Sequence, residues 1–159
     1  MGIARAPAAG LTAFYPGENT MPQHTLRGSC LCGSVRYEIT GEPRRFYHCH
    51  CRRCRKATGT GHASNILVQA GRLVWKGGEA LLGRYKVPEA ERFFTCFCTQ
   101  CGSPLPRVVP ELDGVVIPAG SLDSAPGIEP QARIFWDSRA EWSCAADGLP
   151  VFPEYATQV

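Results

Sequence analysis

The sequence of 159 residues has no apolar run of the roughly 18–20 residues that a membrane-spanning helix needs, so no segment is expected to cross a bilayer. Its first residues, Met1 to Pro7, hold one early arginine but no sustained apolar stretch, which argues against an export leader and leaves the cytoplasm as the expected compartment. No long apolar stripe recurs at helical spacing, so helix content should be low. No glycine fingerprint for a nicotinamide cofactor is present, and a hydride-transfer step would belong to another protein. Charge is scarce too. Charged residues make up 19% of the chain and the formal net charge is +3, too mild, without a long basic stripe, to imply nucleic acid.

What the chain does have is turn formers and cysteine. Its 17 glycines and 13 prolines favour many short strands. The nine cysteines are odd in number and fall into tight C-x-C and C-x-x-C clusters, the pattern of metal ligation in a reducing compartment rather than of a disulfide framework. The length fits one domain able to bury about two-thirds of its unfolded surface. Residues 1–24, with Pro7, Gly10, Pro16, Gly17 and Pro22, read as a flexible arm, and 25–159 as a single zinc domain. Met21 is a candidate start of the folded unit, which the intact mass of protein made from the native gene would test.

Along the chain, Val35, Tyr37 and Ile39 alternate with Arg36, Glu38 and Thr40, as in a half-buried strand. Gly41-Glu42-Pro43 then reads as a turn, and Arg44–His48 as a short strand leading to Cys49. Ser64–Gln69, Arg72–Lys76, Leu81–Val87, Arg92–Phe97, Val115–Gly120 and Ala132–Trp136 are further β-like runs, with a polar turn at Glu89-Ala90-Glu91 and an irregular tail from Asp147. The architecture is therefore expected to be mostly β and antiparallel. Trp75, Trp136, Trp142 and Phe94 are expected in the core and Cys144 as a small buried hydrophobe.

Chemistry concentrates at His48-Cys49-His50-Cys51-Arg52-Arg53-Cys54-Arg55-Lys56. In an extended segment Cys49 and Cys51 share a face, and a turn over Arg52-Arg53 brings Cys54 beside them. Three thiolates leave a tetrahedral zinc one position short. Soft ligands with a net charge near −1 suit capture of a substrate thiol as thiolate better than generation of hydroxide, and such a thiolate is a nucleophile for a small carbonyl compound. Arg52, Arg53, Arg55 and Lys56 are candidates to offset that charge and meet substrate carboxylates. A second structural zinc completed by His48 or His50 is the rival, although strand alternation points both histidines away from the sulfurs. Cys30 and Cys32 pair with Cys98 and Cys101 as a closed Cys₄ zinc site, with Cys96 as an alternative to Cys98.

Gly28-Ser29-Cys30-Leu31-Cys32-Gly33 with Val35-Arg36-Tyr37, then Cys49-His50-Cys51, Cys54-Arg55-Lys56 and Gly59, then Phe94 ahead of Cys98, Cys101-Gly102-Ser103-Pro104-Leu105, together resemble the glutathione-dependent formaldehyde-activating enzyme family, which includes the centromere protein V group. The resemblance spans about residues 26–152. It implies a zinc-stapled, Mss4-like β fold, a structural zinc on Cys30, Cys32, Cys98 and Cys101, and a labile catalytic zinc on Cys49, Cys51 and Cys54. The reaction it implies joins glutathione to formaldehyde, formally a carbon–sulfur lyase run towards synthesis. The alternatives are a binding module with two structural zincs and a redox or metal-storage sensor built on crowded thiols.

Overall fold

A computed structural model describes residues 24–144 and 148–155. Residues 1–23 of the expected arm, including Met21 as candidate start of the folded unit, the Cys144 side chain and part of the tail lie outside the described residues. Among the described residues eight strands follow one another: β1 (Thr25–Ser29), β2 (Arg36–Cys49), β3 (Ala63–Gly77), β4 (Leu82–Lys86), β5 (Phe94–Cys98), β6 (Arg107–Val109), β7 (Gly114–Pro118) and β8 (Ala132–Ile134). One α-helix, α1 (Arg52–Thr58), interrupts them after β2. The main sheet runs β1-β2-β3-β7-β6, antiparallel throughout, with β8 added parallel to the end of β2. β4 and β5 form a separate hairpin. The expectation of a mostly β, antiparallel fold holds, and no described helix is long and apolar enough to cross a membrane.

β2 corrects two readings of the sequence. Gly41-Glu42-Pro43 does not turn the chain, and Arg44–His48 is not a separate strand: β2 passes through both and pairs with β3 from end to end. The glycine and proline instead mark irregularities, with register shifts at Thr40/Glu42 and Pro43/Arg45. β3 bends opposite them at Ala70, whose φ is 47°, so its two predicted runs are likewise one strand. A Cβ at Gly41 would lie 2.6 Å from Val68 Cγ1, which is why no larger residue fits this bend.

The bulged stretch changes which residues face inward, because side chains alternate with a period of two and an extra residue reverses the alternation. Before it, Tyr37 and Ile39 are buried; after it, Phe46 is. These three join Ile66 and Val68 of β3, Val115 and Ile117 of β7, and Leu26 and Leu105 in the core. Burying each large apolar side chain contributes about 1.5–3 kcal/mol. Tyr37 is anchored as well, its hydroxyl 2.9 Å from the Ser121 carbonyl and 2.7 Å from Ser121 Oγ.

On the other face of the sheet the register lays side chains in rows. Cys49 pairs with Ala63 and runs beside Ile134; next come Tyr47, Asn65 and Pro118; then Arg45, Leu67, Val116 and Arg107. This outer face is the floor of the site.

Candidate functional site

Cys49 ends β2 on the outer face, and the next residues bend away under backbone control. The His50 amide donates to the Ile134 carbonyl at 2.9 Å. Cys51 is extended (φ −61°, ψ 150°) and caps α1, its sulfur accepting the Cys54 amide at 3.4 Å. The expected turn over Arg52-Arg53 is therefore the first turn of a helix, which carries Cys54 back to the other two thiols. Gly59, at φ 69°, closes α1 with its amide on the Arg55 carbonyl. The three sulfurs of Cys49, Cys51 and Cys54 lie within 4.8 Å of one another, an arrangement able to hold a metal ion.

The thiols share their protons unequally. A hydrogen bond from Cys54, aided by the Cys51 amide and the Arg107 charge, brings Cys49 down to about 6 against the opposing effect of burial. Cys54 is driven upward, first by that same contact and then by burial. Neither His48 nor His50 joins the sulfurs. His50 is 1% exposed, both its ring nitrogens lack a hydrogen-bond partner, and it packs between His62 at 5.2 Å and Trp136 at 5.1 Å between ring centroids. His48 lies 4.3 Å from His62, with Nδ1 3.0 Å from Ser64 Oγ. Burial lowers both His48 and His50, which favours neutral rings.

At the opposite end of β2 the sulfurs of Cys30, Cys32, Cys98 and Cys101 also lie within 4.8 Å of one another. Gly33 (φ 72°) and Gly102 (φ 75°) supply the tight turns that double each segment back. The Val35 amide donates to Cys30 Sγ at 3.2 Å. Cys101 is brought to about 5, chiefly by the Ser103 hydroxyl 3.3 Å away, and the Ser34 hydroxyl lowers Cys32. Burial raises Cys98. Between Cys96 and Cys98, it is Cys98 that joins this group; Cys96 lines the cleft described next.

A cleft of two lobes opens around Cys54. The larger, of about 880 Å³, is bounded by Arg52, Arg53, Lys56 and Arg107, by Phe93 and Phe94, and by Cys96; among the described residues Glu89 is the one acidic residue in its wall. The smaller, of about 640 Å³, receives all three thiols Cys49, Cys51 and Cys54 and runs over Tyr47, Leu67 and Val116 towards Leu112, Ile134 and Phe135. Arg52, Arg53, Cys54, Phe93 and Arg107 border both. Arg55 is engaged elsewhere, donating to the His50 carbonyl and to the Ser138 carbonyl, each at 3.2 Å.

Over residues 25–138 the sequence matches the family described as glutathione-dependent formaldehyde-activating enzyme. The chain belongs to that family. A Halomonas elongata protein named "Putative glutathione-dependent formaldehyde-activating enzyme" is 33% identical over 127 residues, covering 74% of this chain and 78% of that protein. A crystal structure of a Rhodobacter sphaeroides protein aligns with 22% identity and a TM-score of 0.47, over 67% of this chain and 97% of that one.

Within this family member, several residues of the candidate site carry no sequence signal. Arg107 reaches the thiols only through strand pairing; it is half-buried, its charge faces Cys49, Cys54 and Cys96, and among the described residues it has no carboxylate partner. Phe94 is corrected from core to cleft wall, with Arg84 over its ring at 4.0 Å and Arg107 at 5.9 Å from its centroid. Trp136 and Trp142 are corrected from core to exposed positions, while Trp75 does pack against the core. The cation contacts of Arg133 and Arg139 on Trp136, at 5.4 and 4.7 Å, keep that ring at the surface.

Proposed function

We propose that the chain is a zinc-dependent enzyme of the carbon–sulfur lyase type, joining glutathione or a similar small thiol to formaldehyde or another small aldehyde, and catalysing the reverse. The observation that carries this reading is a cluster of three sulfurs, without a histidine or a fourth cysteine among the described residues, facing a cationic cleft in a family named for glutathione and formaldehyde. The donor sets fit zinc: four converging thiols suit a closed structural site and three a site with a free position. Zinc held by Cys49, Cys51 and Cys54 would supply a position at which a substrate thiol is kept as its thiolate.

The rest falls to the chain. Arg52, Arg53 and Lys56 offer charge-assisted partners for the carboxylates of a peptide thiol. Arg107, which has no carboxylate partner among the described residues, favours anionic sulfur beside the thiols. The aromatic wall of Phe93 and Phe94 limits water at the reacting atoms. Sulfur attacks the carbonyl carbon, the π pair moves to oxygen, and a proton on that oxygen completes the hydroxymethyl thioether. Free cysteines in both clusters fit a reducing compartment such as the cytoplasm.

Magnetisation-exchange NMR of glutathione with formaldehyde tests the proposal, with zinc-depleted protein as the control. Exchange faster than the uncatalysed rate, and lost on depletion, is expected. Two tightly held zincs with no acceleration, and no change in metal spectroscopy on adding thiol, would instead identify a binding module.

A further inference from the structure

The two lobes are equally rich in cations, Arg52, Arg53 and Arg107 being joined by Lys56 in the larger and by Arg45 in the smaller, but they differ in the surfaces between those cations. A glutathione-like peptide carries two carboxylates and is polar along its length, which suits the larger lobe, where Thr58, Ser64 and Thr95 add neutral polar groups to the cations. The smaller lobe has an apolar floor of Leu67 and Val116, each 8% exposed, and an apolar far wall of Leu112, Ile134 and Phe135. It spans about 640 Å³, whereas formaldehyde has two heavy atoms and needs a space on the order of the ~30 Å³ of one water molecule. Volumes of this size accommodate ligands of many atoms.

Phe135 adds an independent observation. Its backbone is left-handed (φ 55°, ψ 44°), a conformation that bulky residues rarely adopt and that is retained only where surrounding structure imposes it. Yet the ring is 63% exposed, so it gains little from the core. It is held at the rim of the lobe that contains all three thiols, next to Ile134, which pairs with Cys49. An apolar group attached to the carbon that receives sulfur would run from the thiols along this floor and cover the ring.

We infer that the smaller lobe seats the hydrocarbon part of the aldehyde, so that the carbonyl substrates include medium-chain aliphatic or aryl aldehydes. This rests on the thiol–aldehyde reading above. The step is thiolate plus aldehyde plus one proton giving a hemithioacetal: a C–S bond forms, the carbonyl π bond becomes a hydroxyl, and no oxidant or reductant takes part.

Two measurements on the zinc-loaded full chain test it. Calorimetry compares S-hexylglutathione with S-methylglutathione, and exchange NMR compares hexanal with formaldehyde, each with glutathione. Phe135→Asn accepts the left-handed backbone while removing the ring, and Leu112→Glu places a charge on an exposed part of the wall. In the wild type the hexyl conjugate should bind at least about tenfold more tightly than the methyl one. In both variants that preference should shrink to within about threefold, and hexanal exchange should fall about tenfold further than formaldehyde exchange. Equal affinities for the two conjugates in the wild type, or equal losses for both aldehydes in the variants, would overturn the inference. Acceleration of formaldehyde without hexanal would sink it alone; acceleration of neither would sink the thiol–aldehyde reading with it.

Discussion

Replacing Cys101 and Cys54 separately by alanine should have opposite consequences. Cys101 belongs to the four-sulfur group joining the turn after β1 to the turn after β5, and β5 otherwise sits in a hairpin outside the main sheet. A structural zinc site contributes about 10–16 kcal/mol, comparable to or larger than the ~5–15 kcal/mol net stability of a domain. Loss of one of its ligands should therefore remove cooperative folding. Cys54 is buried but small. Its removal forfeits roughly 1 kcal/mol of packing and about 1 kcal/mol of hydrogen bonding to Cys49, while the backbone amide at this position still donates to the capping Cys51 sulfur. Urea unfolding followed by tryptophan fluorescence, with zinc content measured on the same samples, decides the matter. Cys54→Ala should lose one metal and all turnover and shift the midpoint by about 1 M; Cys101→Ala should show no cooperative transition. Equal destabilisation by the two substitutions, or retention of both metals in either, would refute this division of roles.

Arg107→Met should raise the KM for glutathione about tenfold while leaving stability unchanged or slightly improved, since it removes a half-buried cation that has no carboxylate partner among the described residues; steady-state kinetics and thermal melts read the two effects. Burial pushes the Tyr37 phenol up to about 12 from a usual value near 10. The raised value means that this contribution is complete below pH 10 and is lost as pH rises towards 12, roughly 2–3 kcal/mol over the window. Tyr37→Phe should therefore cost about 1 kcal/mol at neutral pH through the lost Ser121 bonds, yet unfold less steeply above pH 10, as denaturant titrations at several pH values would record. Gly28→Ala would place a Cβ 2.2 Å from the Tyr37 hydroxyl and 2.3 Å from the Ser121 carbonyl, and should destabilise by roughly 2 kcal/mol in the same assay.

The parts of the site carried by local spacing were legible in the sequence, and the parts carried by pairing were not. Cysteine spacing separates the two sulfur groups, and alternation from Val35 to Ile39 marks the first part of β2. The seven residues of α1 are too few to display a helical period, so its first turn reads as a loop. Gly41-Glu42-Pro43 has the composition of a turn, and only the partner strand reveals that the chain continues through it. Arg107 lies 53 residues beyond Cys54, an isolated cation whose place beside the thiols follows from β6 pairing with β7 and β7 with β3. Phe94 and Trp136 illustrate the limit of hydrophobicity as a guide: large rings do line a cleft or lie outside when cations cover their faces.

The irregular stretch between Ile39 and Phe46 sets the address of the whole reactive surface. Excise one residue there and the downstream ribbon would have to present its other side: Phe46 to solvent, Cys49 towards Ile117. Kinship judged by cysteine motifs alone would miss such a change, because every thiol would keep its neighbours in the chain. Which way the chemistry looks is thus encoded in the number of residues separating a core tyrosine from a thiol, and a length change in that interval would matter more than most substitutions within it.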